Sequence, residues 1–374
     1  MMQSNGKRDG FLRVKSFHIS QQGAGHIKKQ KECQDASESY SDDQCSIAIV
    51  CDGHGGDDYV RSAIGAGFAC AAAEENIKNF LLNVDKDIFM QNEKQREGLL
   101  KQLEAGIINT WNNLVNTHFS QNPFTQNEMA LLSCKAQKRY FQNGQIESAY
   151  GTTLIVAVMT PSYWFGLHIG DGKCITIEQD GNFYQPIPWD PKCFLNATTS
   201  ICDSDAINNF RHFYSENLPV AIFLGSDGID DCFRDDEQLN YLYKTVICSF
   251  STTNFDEAVN ELRDYLPRLS AKGSNDDVSV SAILDLDEIY KLPFVQEYII
   301  REEQTVQQLE TDVVTVSPDT PDELNGQEMI VQDSIPKQDA VLLSENEANA
   351  SDVNANENDS EKVIADGQNS DSII

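Results

Sequence analysis

Four aspartates in this chain stand where apolar runs stop. Asp52 follows "SIAIVC", Asp171 follows "FGLHIG" and Asp227 follows "VAIFLGS", while Asp276 sits in "GSNDDVSV", just ahead of a closing run. A fifth, Asp35 in "KECQDAS", comes shortly after the first strand-like run. Strand ends are rigid mounts, and neighbouring glycines let backbone or ligand approach closely. Hard divalent cations such as Mg2+ and Mn2+ favour oxygen ligands, typically a few carboxylates, a backbone carbonyl and several waters. Taken singly, each Asp-Gly pair is more simply a turn. Repeated in one chain, the setting is better explained as a metal cluster. Two such ions sharing a water form a hydrolytic centre that acidifies the water and clamps phosphoryl oxygens. Residue types and spacing therefore point to a divalent-metal hydrolase, its class open.

The elements that must hold these carboxylates are of both kinds. "FLRVKSFHIS" alternates like a half-buried strand and "CSIAIVCD" reads as a buried one. "DYVRSAIGAGFACAAAEENIKNFLLNV" and "KQREGLLKQLEAGIINTWNNLVNTHFS" follow with helical periodicity. Three strands are expected over "GTTLIVAVMT", "YWFGLHIG" and "KCITIEQDGNFYQ", and "VAIFLGSDGID" is a further one. Two helices and the closing strand "DVSVSAILDL" come after it. The segment from Gln185 to Leu218 has weak periodicity and reads as a long loop. Strands group with strands and helices with helices, which favours an α+β layered fold with antiparallel sheets over a doubly wound parallel sheet.

Composition narrows the partners. The 374 residues are 40% hydrophobic and 23% charged, enough for a sizeable core. A net charge of −31 argues against nucleic acid held on a basic surface, though metal ions can still bring phosphates to an acidic protein. No run of about 18 apolar residues occurs, so no membrane span is expected. The first residues lack the apolar core of a secretion signal, and ten cysteines are scattered without a CxxC pair. Reduced thiols in a cytoplasmic protein are expected, and zinc is not. From Arg301 to Ile374 the chain carries 18 acidic and 3 basic residues and no aromatic. That composition predicts a disordered acidic tail after a folded domain over residues 1–300.

Read in order, "CQDA", "VCDGHGG", "YGTTL", "LHIGDGK", "GSDGIDD" and "GSNDDVSV" resemble the protein phosphatase 2C family of metal-dependent Ser/Thr phosphatases. The motifs span roughly residues 12 to 286, and "GHIKKQKECQDAS" resembles a bacterial branch. The resemblance implies a four-layer α-β-β-α sandwich, two central antiparallel sheets flanked by helix pairs, with Mg2+ or Mn2+ in a cleft at one end. It implies Asp52 as the carboxylate bridging two ions and Gly53 as a carbonyl ligand. Asp227 and Asp276 would complete the first site, Asp35 would hold the second, and Asp171 would belong to a third, weaker one. Asp231 keeps an acidic place just outside the ligands.

His54 matches the proposed general acid, which would protonate the departing Ser or Thr oxygen while water bound to the metals attacks in line without a phosphoenzyme. The arginine that often grips phosphate ahead of the first acidic motif is absent from "HIKKQKECQD". His26, Lys28, Lys29 and Lys31 are the candidates to replace it, without arginine's bidentate fork. Gln34 stands where a Glu is often found, implying fewer direct ligands on the second ion. The expected protein is a monomeric phosphatase acting on phosphoserine and phosphothreonine in protein substrates. The alternatives are a pseudophosphatase serving as a binding module and a hydrolase of small phosphoesters.

Overall fold

Period-two alternation in the apolar runs resolves into two antiparallel sheets in a computed structural model, which describes residues 14–194 and 197–314. The first sheet runs in the order β1 (Val14–Gln21), β10 (Val278–Asp285), β9 (Ala221–Gly225), β6 (Lys173–Ile177), β7 (Phe183–Tyr184). The second runs β2 (Ala36–Ser41), β3 (Ser46–Cys51), β4 (Leu154–Met159), β5 (Trp164–Ile169), β8 (Arg211–Ser215). Every neighbouring pair is antiparallel.

The helices in chain order are α1 (Ala24–Lys29), α2 (Ser62–Asn83), α3 (Lys86–Gln91), α4 (Glu93–Gln121), α5 (Gln126–Leu131), α6 (Cys134–Gln137), α7 (Ala206–Asn209), α8 (Asp227–Asp230), α9 (Asp236–Thr252), α10 (Phe255–Lys272), α11 (Leu286–Ile289) and α12 (Pro293–Val314). The side chains of Asn92, Asp235 and Asn254 accept from the first turns of α4, α9 and α10, satisfying donors that a helix start leaves free.

Each strand sends alternate residues to opposite layers. From β3 and β4, Ile47, Ile49, Leu154, Val156 and Val158 join the core under α2 and α4, where Trp111 is fully buried. From β9 and β10, Phe223, Val280, Ala282 and Leu284 pack under α9 and α10. The opposite faces meet between the sheets through Ala48, Val50, Ile155, Ala157, Ile222, Leu224 and Ile283. Fully burying a side chain of this size contributes about 1.5–3 kcal/mol, so three stacked cores hold the layers in register. The result is the four-layer α-β-β-α sandwich.

β2 has no apolar alternation, and its sequence "ASESYS" does not advertise a strand. It is held instead by pairing with β3 from Ala36 opposite Cys51 to Ser41 opposite Ser46. Hydroxyl contacts also tie it to β1 of the other sheet, Ser16 to Ser41 at 2.8 Å and Ser20 to Ser37 at 2.7 Å. The expected loop from Gln185 to Leu218 contains α7 and the edge strand β8, a correction to the sequence reading. β8 pairs with β5 from Arg211 opposite His168 to Ser215 opposite Trp164, and Phe213 packs on Trp164 with ring centroids 4.9 Å apart. Helix α12 continues to Val314, past the expected boundary at residue 300. The remainder of the acidic tail lies outside the described residues. Among the described residues no helix is long and apolar enough to cross a membrane.

Candidate metal centre and active site

Antiparallel register brings the carboxylate-bearing ends together. Leu154 lies opposite Ile169, and β3 runs antiparallel to β4, so the ends of β3 and β5 share one edge of the second sheet. In the first sheet Gly225 lies opposite both Val280 and Lys173, so the end of β9 and the starts of β10 and β6 share an edge. Asp52, Asp171, Asp227 and Asp276 project from these edges. The alternation that puts Ala48 and Val50 between the sheets carries Asp52 there too.

The loop after β3 is clamped by its own backbone. Asp52 donates its N–H to Thr153 Oγ1 at 3.0 Å, and its carbonyl accepts from Thr153 N and Thr152 Oγ1, both at 2.8 Å. Gly53 continues the ladder opposite Thr152, and a Cβ there would stand 2.3 Å from the Gln34 carbonyl. Only glycine lets the Gln34–Asp35 segment pass this closely. The role of "GTT" in "YGTTL" is therefore to hold the Asp52 strand end, a function the motif alone did not disclose.

The carboxylates crowd one another. Asp52 and Asp227 share a side-chain hydrogen bond, and burial followed by the charges of Asp227 and Asp35 pushes Asp52 well above the carboxylate range. Burial, then Asp277, raises Asp35 in the same direction. Burial pushes Asp227 up to about 6, with Asp171, Asp231 and Asp276 adding to the rise. Asp171 is raised chiefly by burial, and Asp231 by burial and then Asp230. Half-buried negative charge of this density calls for a counter-charge.

The residues fit one. Asp35 Oδ2 is buried and accepts no hydrogen bond, which leaves an oxygen free for a ligand that is not a protein donor. The set Asp35, Asp52, Asp227, Asp276 and the Gly53 carbonyl is all oxygen, the donor chemistry of Mg2+ and Mn2+. Asp171 and Asp231 stand beside it.

His54 follows directly on this loop. Its N–H donates to the Gly151 carbonyl at 3.1 Å, and its ring meets Tyr59 edge-on with centroids 4.7 Å apart. A Cβ on Gly151 would lie 2.5 Å from the His54 ring, so glycine makes room for the imidazole. Burial pushes this imidazole down to about 4.

The four candidates for gripping phosphate separate. Lys31 is committed to the loop beyond His54, donating to the Gly55 carbonyl at 3.1 Å and to Asp57 at 3.0 Å. Lys28 and Lys29 are exposed on α1. His26 alone reaches the carboxylates, with Nδ1 2.8 Å from Asp277 Oδ2 and Nε2 3.6 Å from Asp276 Oδ1. Asp230 pairs with Lys173 of "GDGK" at 2.6 Å. Asp277 is the residue sequence reasoning passed over. Its carboxylate is buried and accepts from Gly23 N and Gln34 N, each at 2.6 Å. The doubled aspartate in "NDD" was the only signal of it.

The family model described as protein phosphatase 2C matches residues 22–267. A search of curated proteins finds no match. Among solved structures, the serine/threonine phosphatase Stp1 from Staphylococcus aureus is 15% identical, with 76% of this chain and 99% of that chain covered and a TM-score of 0.45. The catalytic domain of the serine/threonine protein phosphatase PstP, in complex with two manganese ions, is 15% identical, with 72% and 98% covered and a TM-score of 0.44. PppA, a regulatory component of T6SS in Pseudomonas aeruginosa, is 14% identical, with 72% and 97% covered and a TM-score of 0.45. With the family model matching well over half of its length, the chain belongs to the protein phosphatase 2C family.

Proposed function

We propose that this protein is a Mg2+- or Mn2+-dependent phosphatase that hydrolyses phosphoserine and phosphothreonine in proteins. The observation that carries the reading is the convergence of Asp35, Asp52, Asp171, Asp227 and Asp276 at one end of the sandwich, with Asp35 Oδ2 buried and unpartnered. Asp52, Asp227 and Asp276 would hold one ion; Asp52, the Gly53 carbonyl and Asp35 a second; Asp171 a weaker third. Bound there, the cations would neutralise phosphoryl charge and acidify a water.

The chain's own residues supply the rest. Thr152 and Thr153 fix the backbone of Asp52, so its carboxylate is presented without reorganisation at the moment of reaction. His54 is the proton donor to the leaving Ser or Thr oxygen. Burial favours its neutral ring, and an arriving phosphate dianion opposes that effect by favouring the imidazolium. Lys31 holds the Gly55–Asp57 turn and so the attitude of the loop that carries His54. No Cys is required as nucleophile, in accord with ten free thiols of which Cys51, Cys70 and Cys174 lie buried in the core.

The test is hydrolysis of a phosphothreonine peptide and of p-nitrophenyl phosphate with Mn2+ and with EDTA. Turnover that requires Mn2+ and disappears in EDTA supports the reading. Activity that survives EDTA removes the metal mechanism, and Mn2+ binding without turnover on any substrate makes the protein a pseudophosphatase. Turnover of small phosphoesters with none on phosphopeptides would reassign the substrate.

A further inference from the structure

The neighbours of Asp276 include an imidazole, and Asp276 Oδ1 accepts from Asp277 N at 2.8 Å. His26 sits in the short helix after β1, its side chain 12% exposed, between the buried Asp277 and the Asp276 carboxylate, which is 57% exposed. Asp277 Oδ2 lies 2.8 Å from His26 Nδ1 and also accepts from Gln34 N at 2.6 Å. Asp277 Oδ1 accepts from Gly23 N at 2.6 Å. A carboxylate so committed to donors can only accept from the ring, so Nδ1 carries the hydrogen. In the neutral imidazole, Nε2 then presents its lone pair on the side of Asp276.

That arrangement leaves two acceptors facing each other. Nε2 and Asp276 Oδ1 are 3.6 Å apart, too long for a hydrogen bond. The separation is short enough for both to bind one cation at about 2.1 Å each. One donor atom each from His26, Asp276 and Asp277 lies within 4.8 Å of the others. Metal-bound histidines ordinarily donate their second ring nitrogen to a carboxylate or carbonyl, which fixes the tautomer and the ring plane. Asp277 already makes that bond, and the close passage of Gly23 by the Asp276–Asp277 backbone fixes the two loops against each other.

We propose that His26, aligned by Asp277, is a nitrogen ligand to the cation held by Asp276. The inference rests on the two-cation reading above and adds to it a ligand that the all-oxygen set lacks. One imidazole in the donor set shifts preference from Mg2+ toward Mn2+ and the later first-row divalent ions, for which nitrogen is a good ligand. It also gives "GHIKKQKECQDAS" a use for its histidine other than replacing a phosphate-gripping arginine.

The test reads the metal directly. The full-length protein is loaded with Mn2+, and electron spin echo modulation is recorded for wild type, for protein grown with 15N-histidine, and for His26→Gln. Mn2+ affinity is measured by calorimetry on the same samples. The expected result is 14N modulation in wild type that changes on labelling and is lost in His26→Gln, with affinity falling roughly tenfold or more. Bound Mn2+ without histidine nitrogen modulation overturns the inference and leaves the two-cation reading intact. Modulation that persists in His26→Gln comes from another ring, such as His54, and also overturns it. No bound Mn2+ in wild type overturns both. The wild-type spectrum decides the matter even if the variant folds poorly.

Discussion

Asp52 and Asp227, just past the ends of strands β3 and β9 in different sheets, meet carboxyl to carboxyl and share a hydrogen bond. Two acids at this range, both held above the carboxylate range chiefly by burial, resist ionising together. A divalent cation between them relieves the conflict, so metal should stabilise the fold as well as enable chemistry. Mn2+ at about 100 times its Kd would add about 2.7 kcal/mol. Wild type is therefore expected to show a rise in Tm of several degrees with Mn2+, measured by calorimetry. Asp227→Asn should lose most of that rise and at least about 100-fold in turnover, while its metal-free Tm holds or increases. A full Mn2+ shift in the variant would place the ion elsewhere.

A proton donor matters most when the leaving group is poor. His54→Asn is expected to slow release of Ser or Thr from a phosphopeptide by about 10²–10⁴-fold. Release of p-nitrophenol, which departs readily as the anion, should slow far less. Comparing kcat for the two substrates in wild type and variant checks the assignment, and equal losses on both would make His54 a positioning residue through Gly151 and Tyr59 instead.

The sandwich and the carboxylate cluster were legible because their signals are local. Strands β3, β5 and β9 are apolar runs that lead into an Asp, β4 is an apolar run between them, and period-two alternation is enough to sort their faces. β2 and β8 were not legible. "ASESYS" is a strand only because β3 pairs with it and β1 supplies hydroxyl partners, and "RHFYS" only because Trp164 and α4 receive its side chains. Asp277 escaped for the same reason. It owes its role to partners over 200 residues away in sequence, accepting from Gly23 N and Gln34 N. Partnerships of that range leave no mark on spacing.

Arg61 is a further case of long-range design and gives a stability prediction. It is 4% exposed at the start of α2, pairs with Glu128 at 2.6 Å, and donates to Tyr150 Oη at 2.7 Å and the Asn122 carbonyl at 2.6 Å. Its guanidinium also stacks on Phe124, 4.6 Å from the ring centroid. Hydrogen bonds from Arg61 and Thr125 overcome the cost of burial and hold Glu128 at about 2. Removing one partner of such a pair strands the other, at a cost of about 3–5 kcal/mol. Arg61→Ala is expected to lower stability by that order in urea unfolding. It should also make the segment from Asn122 to Glu147 the first site of limited proteolysis. An unchanged midpoint would show the network to be dispensable.

The edge strand β8 is pinned to α4 by a pH-dependent contact. His212 Nδ1 lies 2.7 Å from Glu104 Oε1, and Nε2 lies 2.7 Å from Glu97 Oε2, so both ring nitrogens face carboxylates. The hydrogen bond to Glu104 raises the imidazole above its usual value against the opposing effect of burial, and Glu97 adds to the rise. The folded state thus holds its proton to higher pH than the unfolded chain, whose histidine releases it near 6.5. The contribution is complete below that value and is lost as pH rises through the folded-state pKa. Glu104, fully buried and also 2.7 Å from Lys101 Nζ, keeps one cation when His212 is neutral, so the loss is partial. Wild type is expected to lose more stability than His212→Gln between pH 6 and pH 9 in urea unfolding. Parallel curves for the two proteins would mean that His212 carries no proton in this window.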